Sequence, residues 1–302
     1  MVCQKGGFEI TQNKAPLVTI ALPVYNGAAT LGLAIHSILQ QSFNNWELII
    51  LNDASTDSSL EVMRSFDDPR IRLVEGENNM GLSARLNLAI DMACGKYFAR
   101  MDQDDVSFPD RLEKQIQFFE THPDVDLLAT ATLLFGDDGE ALGVLPVRFF
   151  HAQICARPWQ GFPLPHPTWM GRIEWFRQHR YQPFSDGVED QHLLYRSHEE
   201  STFACLPEPL LAYREARGFR KMFRARRRFL RCIGREAIRQ KKYSDLIKLL
   251  FMQILKAMGD FLRHFFGANS LRNSLKPADK QTQEVWVRLL KTVQAVSERD
   301  EK

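Results

Sequence analysis

The sequence is poor in several features that would point to common classes of protein. Its five cysteines include no CxxC pair, and its histidines form no cluster with metal-ligand spacing. This pattern disfavours a zinc site or a disulfide framework and is typical of a reducing cytosol. Neither GxGxxG nor GxxxxGK followed by Ser or Thr occurs, so dinucleotide-binding and P-loop folds lose their main support. The first ten residues lack an apolar stretch, so we expect no signal peptide.

Charge is absent from one long segment near the beginning of the chain. Between Ala15 and Trp46 there is no Asp, Glu, Lys or Arg, and length alone would allow this segment to cross a membrane. However, Pro23, Asn26 and Gly27 interrupt it, and its leading VTIALPV is rich in β-forming residues. The segment therefore predicts a buried strand, a turn and a helix.

Overall composition excludes disordered and fibrous proteins, since hydrophobic residues make up 44% and charged residues 25% of 302 residues. The net charge of +2 is too small to indicate a nucleic-acid binder. Charge is nevertheless uneven, because the segment from Arg214 to Lys248 carries 14 Lys or Arg against 3 Asp or Glu. That segment contributes +11 and leaves −9 for the rest. We therefore expect a mildly acidic catalytic body with a region that meets an anionic surface.

Apolar runs alternate with helical patterns over the first 120 residues. Strands are predicted at 18–24, 46–51, 71–74 and 97–101, and helices at 28–41, from 55 onward, at 81–93 and at 109–119. Four strands that alternate with helices indicate an α/β fold with a three-layer, mainly parallel sheet.

The remainder of the chain has a different pattern. Between 125 and 213 we predict short strands near 125–135 and 203–212, helices near 172–179 and 188–199, and a loop with four prolines at 157–168. Beyond 214 the pattern is helical, with a polar break around 267–280. The chain is accordingly divided into an N-terminal arm (1–15), an α/β domain (16–213) and a basic, amphipathic helical region (214–302).

Polar or acidic side chains follow three of the predicted strands, at the edge where open α/β sheets bind ligands. They are Tyr25, Asn26, Asn52, Asp53, Asp102, Asp104 and Asp105, and Pro23 lies at the end of the first strand. Turn chemistry can explain any one of these clusters, but it explains all of them together less well. Acids at alternate positions, as at Asp102 and Asp104, suit a divalent ion that bridges to substrate phosphates.

Four blocks of the sequence resemble, in the expected order, those of family 2 glycosyltransferases. They are PVYNGAATLGLAIHSILQQSFNNWELIILNDASTDSS, ENNMGLSARLNLAIDMACGKYFARMDQDD with its DxD motif, HPTWMGR and GVEDQHLLYR. The resemblance covers about two-thirds of the chain, residues 16–213. It implies a GT-A fold, a nucleotide-diphosphate-sugar donor (most often a UDP-sugar) and transfer with inversion at the anomeric carbon.

The resemblance also implies roles on the donor side. Asn52-Asp53 stands for the family's Asp-Asp pair, a mild departure because the acid that faces the base remains. Asp104, together with Asp102, would ligate Mg2+ or Mn2+, and Asp105 would orient these acids. The nucleotide-sugar would be held by Pro23, Tyr25, Asn26, Asp53, Arg85 and Asp102.

On the acceptor side, the resemblance places the catalytic base at Asp190, with Glu189 as the second choice. Acids at a helix N-terminus are also favoured by the helix dipole without any catalytic role. His166 could line the acceptor site, although a loop histidine is more often simply exposed. Three tryptophans could stack on sugar rings, but we expect at least two to fill the core: Trp159, Trp169 and Trp175.

The family's processive synthases carry a QxxRW motif that this chain lacks, since QHLLYRSHEE follows Asp190. We therefore expect transfer of one or a few sugars to a glycan or lipid-linked acceptor in cell-surface polysaccharide biosynthesis, at a cytoplasmic location. One alternative is a sugar-phosphate nucleotidyltransferase, which needs a basic, glycine-rich loop where this chain has PVYNGAAT. Another is a non-catalytic carbohydrate-binding or scaffold protein with the same fold.

The basic region has apolar residues at helical spacing between its arginines, followed by a more apolar helix at 246–266. This arrangement is typical of an interfacial membrane anchor, here on the cytoplasmic face of the inner membrane. The alternative is a helix that packs on the catalytic domain with its charges solvated. RNA binding is a distant third, because no aromatic stacking module is evident.

Overall fold

The computed structural model describes residues 15–215, 219–266 and 275–300. The strands are β1 (Val18–Val24), β2 (Trp46–Asn52), β3 (Ile71–Glu75), β4 (Tyr97–Arg100), β5 (Val106–Ser107), β6 (Leu127–Phe135), β7 (Ala141–Val144), β8 (Met170–Arg172) and β9 (Phe203–Arg214). The helices are α1 (Ala28–Leu39), α2 (Ser59–Arg64), α3 (Leu82–Met92), α4 (Arg111–Thr121), α5 (His151–Ile154), α6 (Ile173–Gln178), α7 (Glu189–Ser197), α8 (Phe219–Arg239), α9 (Tyr243–Phe266) and α10 (Lys280–Asp300).

The strands form one nine-stranded sheet in the order β3-β2-β1-β4-β8-β6-β9-β5, with β7 paired to β6. The first four strands are parallel to one another, as predicted. Val24 of β1 lies opposite Asn52 of β2, and Ala21 lies opposite Arg100 of β4. The carboxyl ends of β1, β2 and β4 therefore lie at one edge of the sheet. Beyond β4 the sheet is mixed, since β8 is antiparallel to both neighbours while β6 and β9 are parallel.

Apolar side chains on both faces of the sheet confirm the predicted three layers. In β2, Ile49 and Leu51 point into one core with α3, α6 and α7, while Leu48 and Ile50 point into another with α1 and α4. A strand buried on both faces reads as a continuous apolar run, because successive side chains alternate between the two cores.

Several elements differ from the predictions. The helix expected from residue 55 begins at Ser59, whose backbone N–H donates to the Asp57 Oδ1 at 3.1 Å, while other polar groups before it bond to the loop after β1. Ser55 accepts a hydrogen bond from the Asn26 N–H, and Asp57 accepts one from the Ala28 N–H. The strands β5, β7 and β8 and the single-turn helix α5 were not predicted, since two to four residues carry no periodic signal. The proline-rich loop at 157–168 contains two 3-10 turns, at Pro158–Gln160 and His166–Thr168.

The C-terminal helices pack on the sheet-bearing part of the chain. Helix α8 lies against α7 and α9, and α10 lies against α1. Trp286 of α10 is buried against Phe135. Residues 1–14 of the predicted arm and 267–274 of the predicted break lie outside the described residues, while 275–279 are non-helical as expected. In the part of the chain that the structure describes, every helix is too short or too polar to cross a membrane.

The described cysteines differ in their bonding. Cys155, Cys205 and Cys232 are free thiols, whereas Cys94 is disulfide-bonded. One bonded cysteine is less than the disulfide framework that the sequence disfavours, but it departs from the expectation of a fully reduced chain.

Candidate active site

One glutamine joins the loops that follow β1 and β4. Gln103 accepts a hydrogen bond from the Tyr25 backbone N–H at 2.8 Å and donates one to the Tyr25 carbonyl oxygen at 3.2 Å. A side chain at Gly27 would collide with it, since a Cβ there would lie 2.5 Å from the Gln103 Cδ. The Tyr25 ring remains 48% exposed. With Pro23 inside β1, this connection holds an accessible aromatic face at the sheet edge.

Asn26 joins the loops that follow β1 and β2. Its backbone has a φ of 51°, a left-handed conformation that asparagine tolerates better than most residues. The Thr56 N–H donates to the Asn26 Oδ1 at 2.8 Å, and the Asn26 N–H donates to the Ser55 Oγ at 3.1 Å. Asn52 plays a similar part, because its Oδ1 accepts from the Ser55 N–H at 3.0 Å. Both side chains therefore shape the loops around the proposed nucleotide site.

Asp53 and Arg85 form a buried ion pair. The Arg85 Nε lies 2.6 Å from the Asp53 Oδ1, and both side chains are almost inaccessible to solvent. Asp53 also accepts hydrogen bonds from the Met80 and Gly81 backbone N–H groups at 2.8 and 2.9 Å. The Arg85 Nη2 also donates to the Asn78 carbonyl oxygen at 2.8 Å. The pair thus fixes the loop before α3, and two of the predicted nucleotide-binding residues are brought into direct contact.

His166 connects the acid at the end of β4 with the acid at the beginning of α7. Its Nε2 lies 2.9 Å from the Asp102 Oδ2, and its Nδ1 lies 3.5 Å from the Asp190 Oδ2. The Gln191 side-chain amide donates to the same Asp190 oxygen at 3.0 Å. The contact between Asp102 and His166 spans 64 positions of the sequence, so parts of the chain that are far apart in the sequence form one polar cluster.

The three groups shift one another's pKa values strongly. Burial acts to lower the pKa of His166, but Asp102 and Asp190 outweigh it and raise this pKa to about 10. Burial acts to raise the pKa of Asp102 and of Asp190, but the His166 cation outweighs it and lowers both to about 2. At neutral pH the cluster therefore consists of an imidazolium between two carboxylates.

Arg100 lies beneath this cluster with its side chain fully buried. Its Nη2 lies 3.7 Å from the Asp102 Oδ1 and 3.3 Å from the Glu189 Oε1, and its Nη1 lies 3.5 Å from the Tyr181 hydroxyl. The second Glu189 oxygen accepts from the Gly187 N–H at 2.9 Å. Burial raises the pKa of Glu189, which Arg100 offsets in part. Both oxygens of Glu189 are thus used inside the protein, whereas the Asp190 side chain is 13% exposed.

The two remaining acids of the DxD loop lie in different environments. Asp104 is half-buried, and its carbonyl oxygen accepts a hydrogen bond from the Arg214 Nε. Asp105 is 1% exposed; its Oδ1 accepts from the Arg214 N–H, and its Oδ2 is buried with no hydrogen-bond partner. Burial, with Asp102 and Asp104 nearby, raises the pKa of Asp105 well above its usual value. Asp105 therefore packs inside the protein, against the end of β9.

These acids fit a divalent cation only in combination with a bound substrate. Across 15–215, 219–266 and 275–300, no three His, Cys, Asp or Glu side chains are grouped so that they could hold a metal ion. Asp102 is ionised and Asp104 is accessible, and Mg2+ commonly uses one or two carboxylates together with substrate phosphates and water. The donor set thus fits a metal that a diphosphate completes.

The structure also shows which of the three tryptophans considered for sugar stacking fill the core. Trp169 and Trp175 are buried in the core, as expected, and Trp159 is partly buried with the Lys248 ammonium 4.3 Å from its ring. Three polar residues of the site were not predicted: Arg100, Gln103 and Gln191. Arg100 carried one usable signal, because a charge within an apolar central strand is rare without a buried partner.

Two solved structures show the class of fold to which this chain belongs. It is similar to S. aureus TarS in complex with UDP-GlcNAc, with a TM-score of 0.59, 19% identity and coverage of 94% of this chain and 82% of TarS. It is also similar to the mannosyltransferase PcManGT from Pyrobaculum calidifontis in complex with GDP-Man and Mn2+, with a TM-score of 0.54, 18% identity and coverage of 75% and 65%. The fold is the GT-A fold of glycosyltransferases, with additional C-terminal helices.

Sequence comparison gives the family. The sequence profile described as Glycosyl transferase family 2 matches residues 19–180, more than half of the chain, and the chain belongs to this family. It is similar to the Bacillus subtilis (strain 168) protein EpsE, at 39% identity over 169 residues, or 55% of this chain and 59% of EpsE. The chain therefore spans about three-fifths of the length of this relative.

Proposed function

We propose that this protein is an inverting glycosyltransferase that moves a sugar from a nucleotide-diphosphate donor, with UDP favoured, to an acceptor hydroxyl. The observation that carries the proposal is the cluster of Asp102, His166 and Asp190 at the sheet edge, in a chain of this family. It places a proposed donor-side acid and a proposed acceptor-side acid on opposite sides of one imidazole. Transfer of a sugar requires that the side chains that bind the donor and those that bind the acceptor lie close together.

The donor lies, in this proposal, across the ends of β1, β2 and β4. Tyr25 offers an exposed ring to the base, and the loop fixed by Asp53 and Arg85 borders the nucleotide. Among the described residues, the Asp53 Oδ2 accepts only from the Gly81 N–H, so it has room for a second hydrogen bond from a base while the carboxylate holds this loop. Asp102 and Asp104 would hold Mg2+ or Mn2+, which supplies positive charge to the leaving diphosphate.

Asp190 is the proposed general base. Inverting transfer is a single displacement, in which the acceptor oxygen attacks the anomeric carbon opposite the departing nucleotide diphosphate. The pKa of about 2 keeps Asp190 ionised at neutral pH but makes it a weak base. The acceptor proton therefore moves to Asp190 as the new bond forms, not before it. Asp190 is better placed than Glu189, because both Glu189 oxygens already bond inside the protein.

The acceptor is proposed to be a glycan or a lipid-linked sugar in cell-surface polysaccharide biosynthesis. Relatives in the family include proteins named for teichuronic acid biosynthesis and for transfer to a diphosphoundecaprenol-linked GlcNAc. The hairpin formed by α8 and α9 supports a lipid surface as partner. Its outer side carries exposed arginines on α8 and exposed apolar side chains on α9: Ile247, Leu250, Phe251, Ile254, Leu255 and Met258. We propose peripheral contact of this hairpin with an anionic, cytoplasmic membrane face.

A donor-turnover assay with a panel of nucleotide sugars tests the proposal. With Mg2+ or Mn2+ present, we expect slow release of nucleoside diphosphate from one donor without acceptor and faster release with an acceptor. An NMR spectrum of the product should show the anomeric configuration opposite to that of the donor. Nucleotide binding without turnover of any donor would instead identify a non-catalytic protein with this fold.

A further inference from the structure

We propose that a cleft beside the candidate active site binds the phosphate or diphosphate group of the acceptor through Arg148 and Arg157. The cleft has a volume of about 760 Å³ and is bordered by α5, the segment 156–163, the beginning of α7 and Phe229 of α8. This volume lies within the range of small-molecule sites in proteins. The inference rests on the proposed function, because it identifies the class of acceptor for the same reaction.

The charge of the cleft indicates an anionic ligand. Arg148 and Arg157 both line it, and no acidic residue does. Both are exposed, and within the described ranges neither guanidinium has an ion-pair or hydrogen-bond partner. The side-chain amides of Gln153 and Gln160 also line it. Two guanidinium groups and amide donors are the groups that recognise phosphate oxygens.

The cleft is joined to the proposed base by one side chain. Gln191 lines the cleft, donates to the Asp190 Oδ2 at 3.0 Å and accepts from the Phe162 N–H at 2.7 Å. Gly161 permits this close packing, because its φ is +98° and a Cβ there would lie 2.9 Å from the Gln191 Oε1. An acceptor whose phosphate binds in the cleft would therefore have its sugar next to Asp190.

Apolar side chains in the cleft and next to Arg148 in the sequence suit an apolar chain attached to that phosphate. Phe149 and Phe150 directly follow Arg148 and are 41% and 69% exposed. Phe229, which lines the cleft, belongs to the same helix that carries the exposed arginines. A prenyl chain attached to the diphosphate would find an apolar contact in Phe229. The geometry thus favours a lipid-linked diphosphate over a neutral glycan.

Calorimetric titration of the full chain with farnesyl diphosphate tests the inference, in Mg2+ with saturating UDP to occupy the donor site. We expect binding that UDP does not displace and that weakens by at least about tenfold in the double variant Arg148→Gln/Arg157→Gln. Double replacement with lysine should restore part of the affinity. Inorganic pyrophosphate and farnesol, titrated in parallel, separate the contribution of the phosphate groups from that of the chain.

The control removes the same charge elsewhere. Arg288→Gln/Lys291→Gln, on the exposed side of α10, should leave farnesyl diphosphate affinity within about twofold. Equal affinity of wild type and the Arg148/Arg157 double variant would overturn the inference, as would displacement of the probe by UDP or binding of farnesol as tight as that of the diphosphate. UDP affinity, measured on the same samples, reports separately on the proposed function, since neither variant touches the donor side.

Discussion

The two sides of the candidate active site are built differently. On the donor side, the polar side chains already have partners within the protein: Arg85 pairs with Asp53 at 2.6 Å, and Gln103 bonds to both polar groups of the Tyr25 backbone. On the acceptor side, Arg148 and Arg157 are exposed, and α9 presents an apolar face to solvent. The donor side is organised before any ligand binds, whereas the acceptor side leaves charge and apolar area for a partner to cover.

Breaking the Asp53–Arg85 pair should produce the largest loss of stability. Arg85→Met leaves a buried carboxylate without its cation, and we expect a loss of about 3–5 kcal/mol in the free energy of unfolding. Denaturant unfolding measures this loss, and UDP affinity should fall with it because the loop before α3 depends on the pair.

A matched control uses an exposed pair at the other end of the same helix. Arg180 bonds to Asp91 at 2.6 Å, with the two side chains 30% and 61% exposed. Arg180→Met should cost less than about 1 kcal/mol. Similar costs for the two variants would show that the donor side is not specially organised.

Removing charge from the exposed side of α8 should weaken membrane binding by about 2 kcal/mol, or roughly 30-fold, in Arg227→Gln/Arg231→Gln. Each arginine near an anionic surface contributes about 1 kcal/mol, screened by salt. Sedimentation with vesicles containing anionic lipid measures the effect.

Phe251→Asn, on the apolar face of α9, should weaken binding to anionic and neutral vesicles alike. Equal binding of the wild-type chain to neutral and anionic vesicles would remove the electrostatic part of the account.

Asp104→Ala should weaken UDP binding about tenfold in Mn2+ but much less in EDTA. The reason is that this carboxylate, in our proposal, acts on the nucleotide through the cation. Titration of UDP into Asp104→Ala under both conditions measures the difference. If the substitution weakened binding equally with and without the metal, Asp104 would have a role that does not involve a cation.

The smallest predicted effect is on the pH dependence of stability and concerns His192 of α7. Burial lowers the pKa of His192 to about 4, below the value of about 6.5 in an unfolded chain. The unfolded chain therefore binds a proton first, so stability is complete above pH 6.5 and declines as the pH falls toward 4. Thermal unfolding should show a decrease of a few degrees over this range that His192→Gln reduces. An unchanged slope in the variant would assign the decline to other groups.

The sequence predicted structural features that have a local pattern, and it did not predict contacts between residues far apart in the sequence. The strands β1 and β2 were found because continuous apolar runs report burial on both faces. The strand β5 was not predicted, because it has only two residues and its partner β9 lies about a hundred positions away in the sequence. The acids after β4 were found from local spacing, but the contact of Asp102 with His166 spans 64 positions and has no local signal.

The acceptor side was the least predictable part of the site. Arg148 and Arg157 lie in a stretch without periodicity, and only the folded chain brings them into one cleft. The sequence left open whether the basic region packs on the domain or meets a membrane. In the structure, Ile233 and Ala237 of α8 are buried in the core while Arg227 and Arg231 are exposed. One face of the helix packs, and membrane contact stays a prediction for the other.

The most direct test of the account is the transfer rate of Asp190→Asn, measured together with its donor affinity. The substitution nearly preserves the shape of the side chain but removes the proton acceptor. We predict donor affinity close to that of wild type and a transfer rate lower by about 100- to 10,000-fold. Glu189→Gln, measured beside it, should reduce stability more than it changes the chemistry. Near wild-type transfer by Asp190→Asn would contradict the account and direct the search for the base to Glu189 and His166.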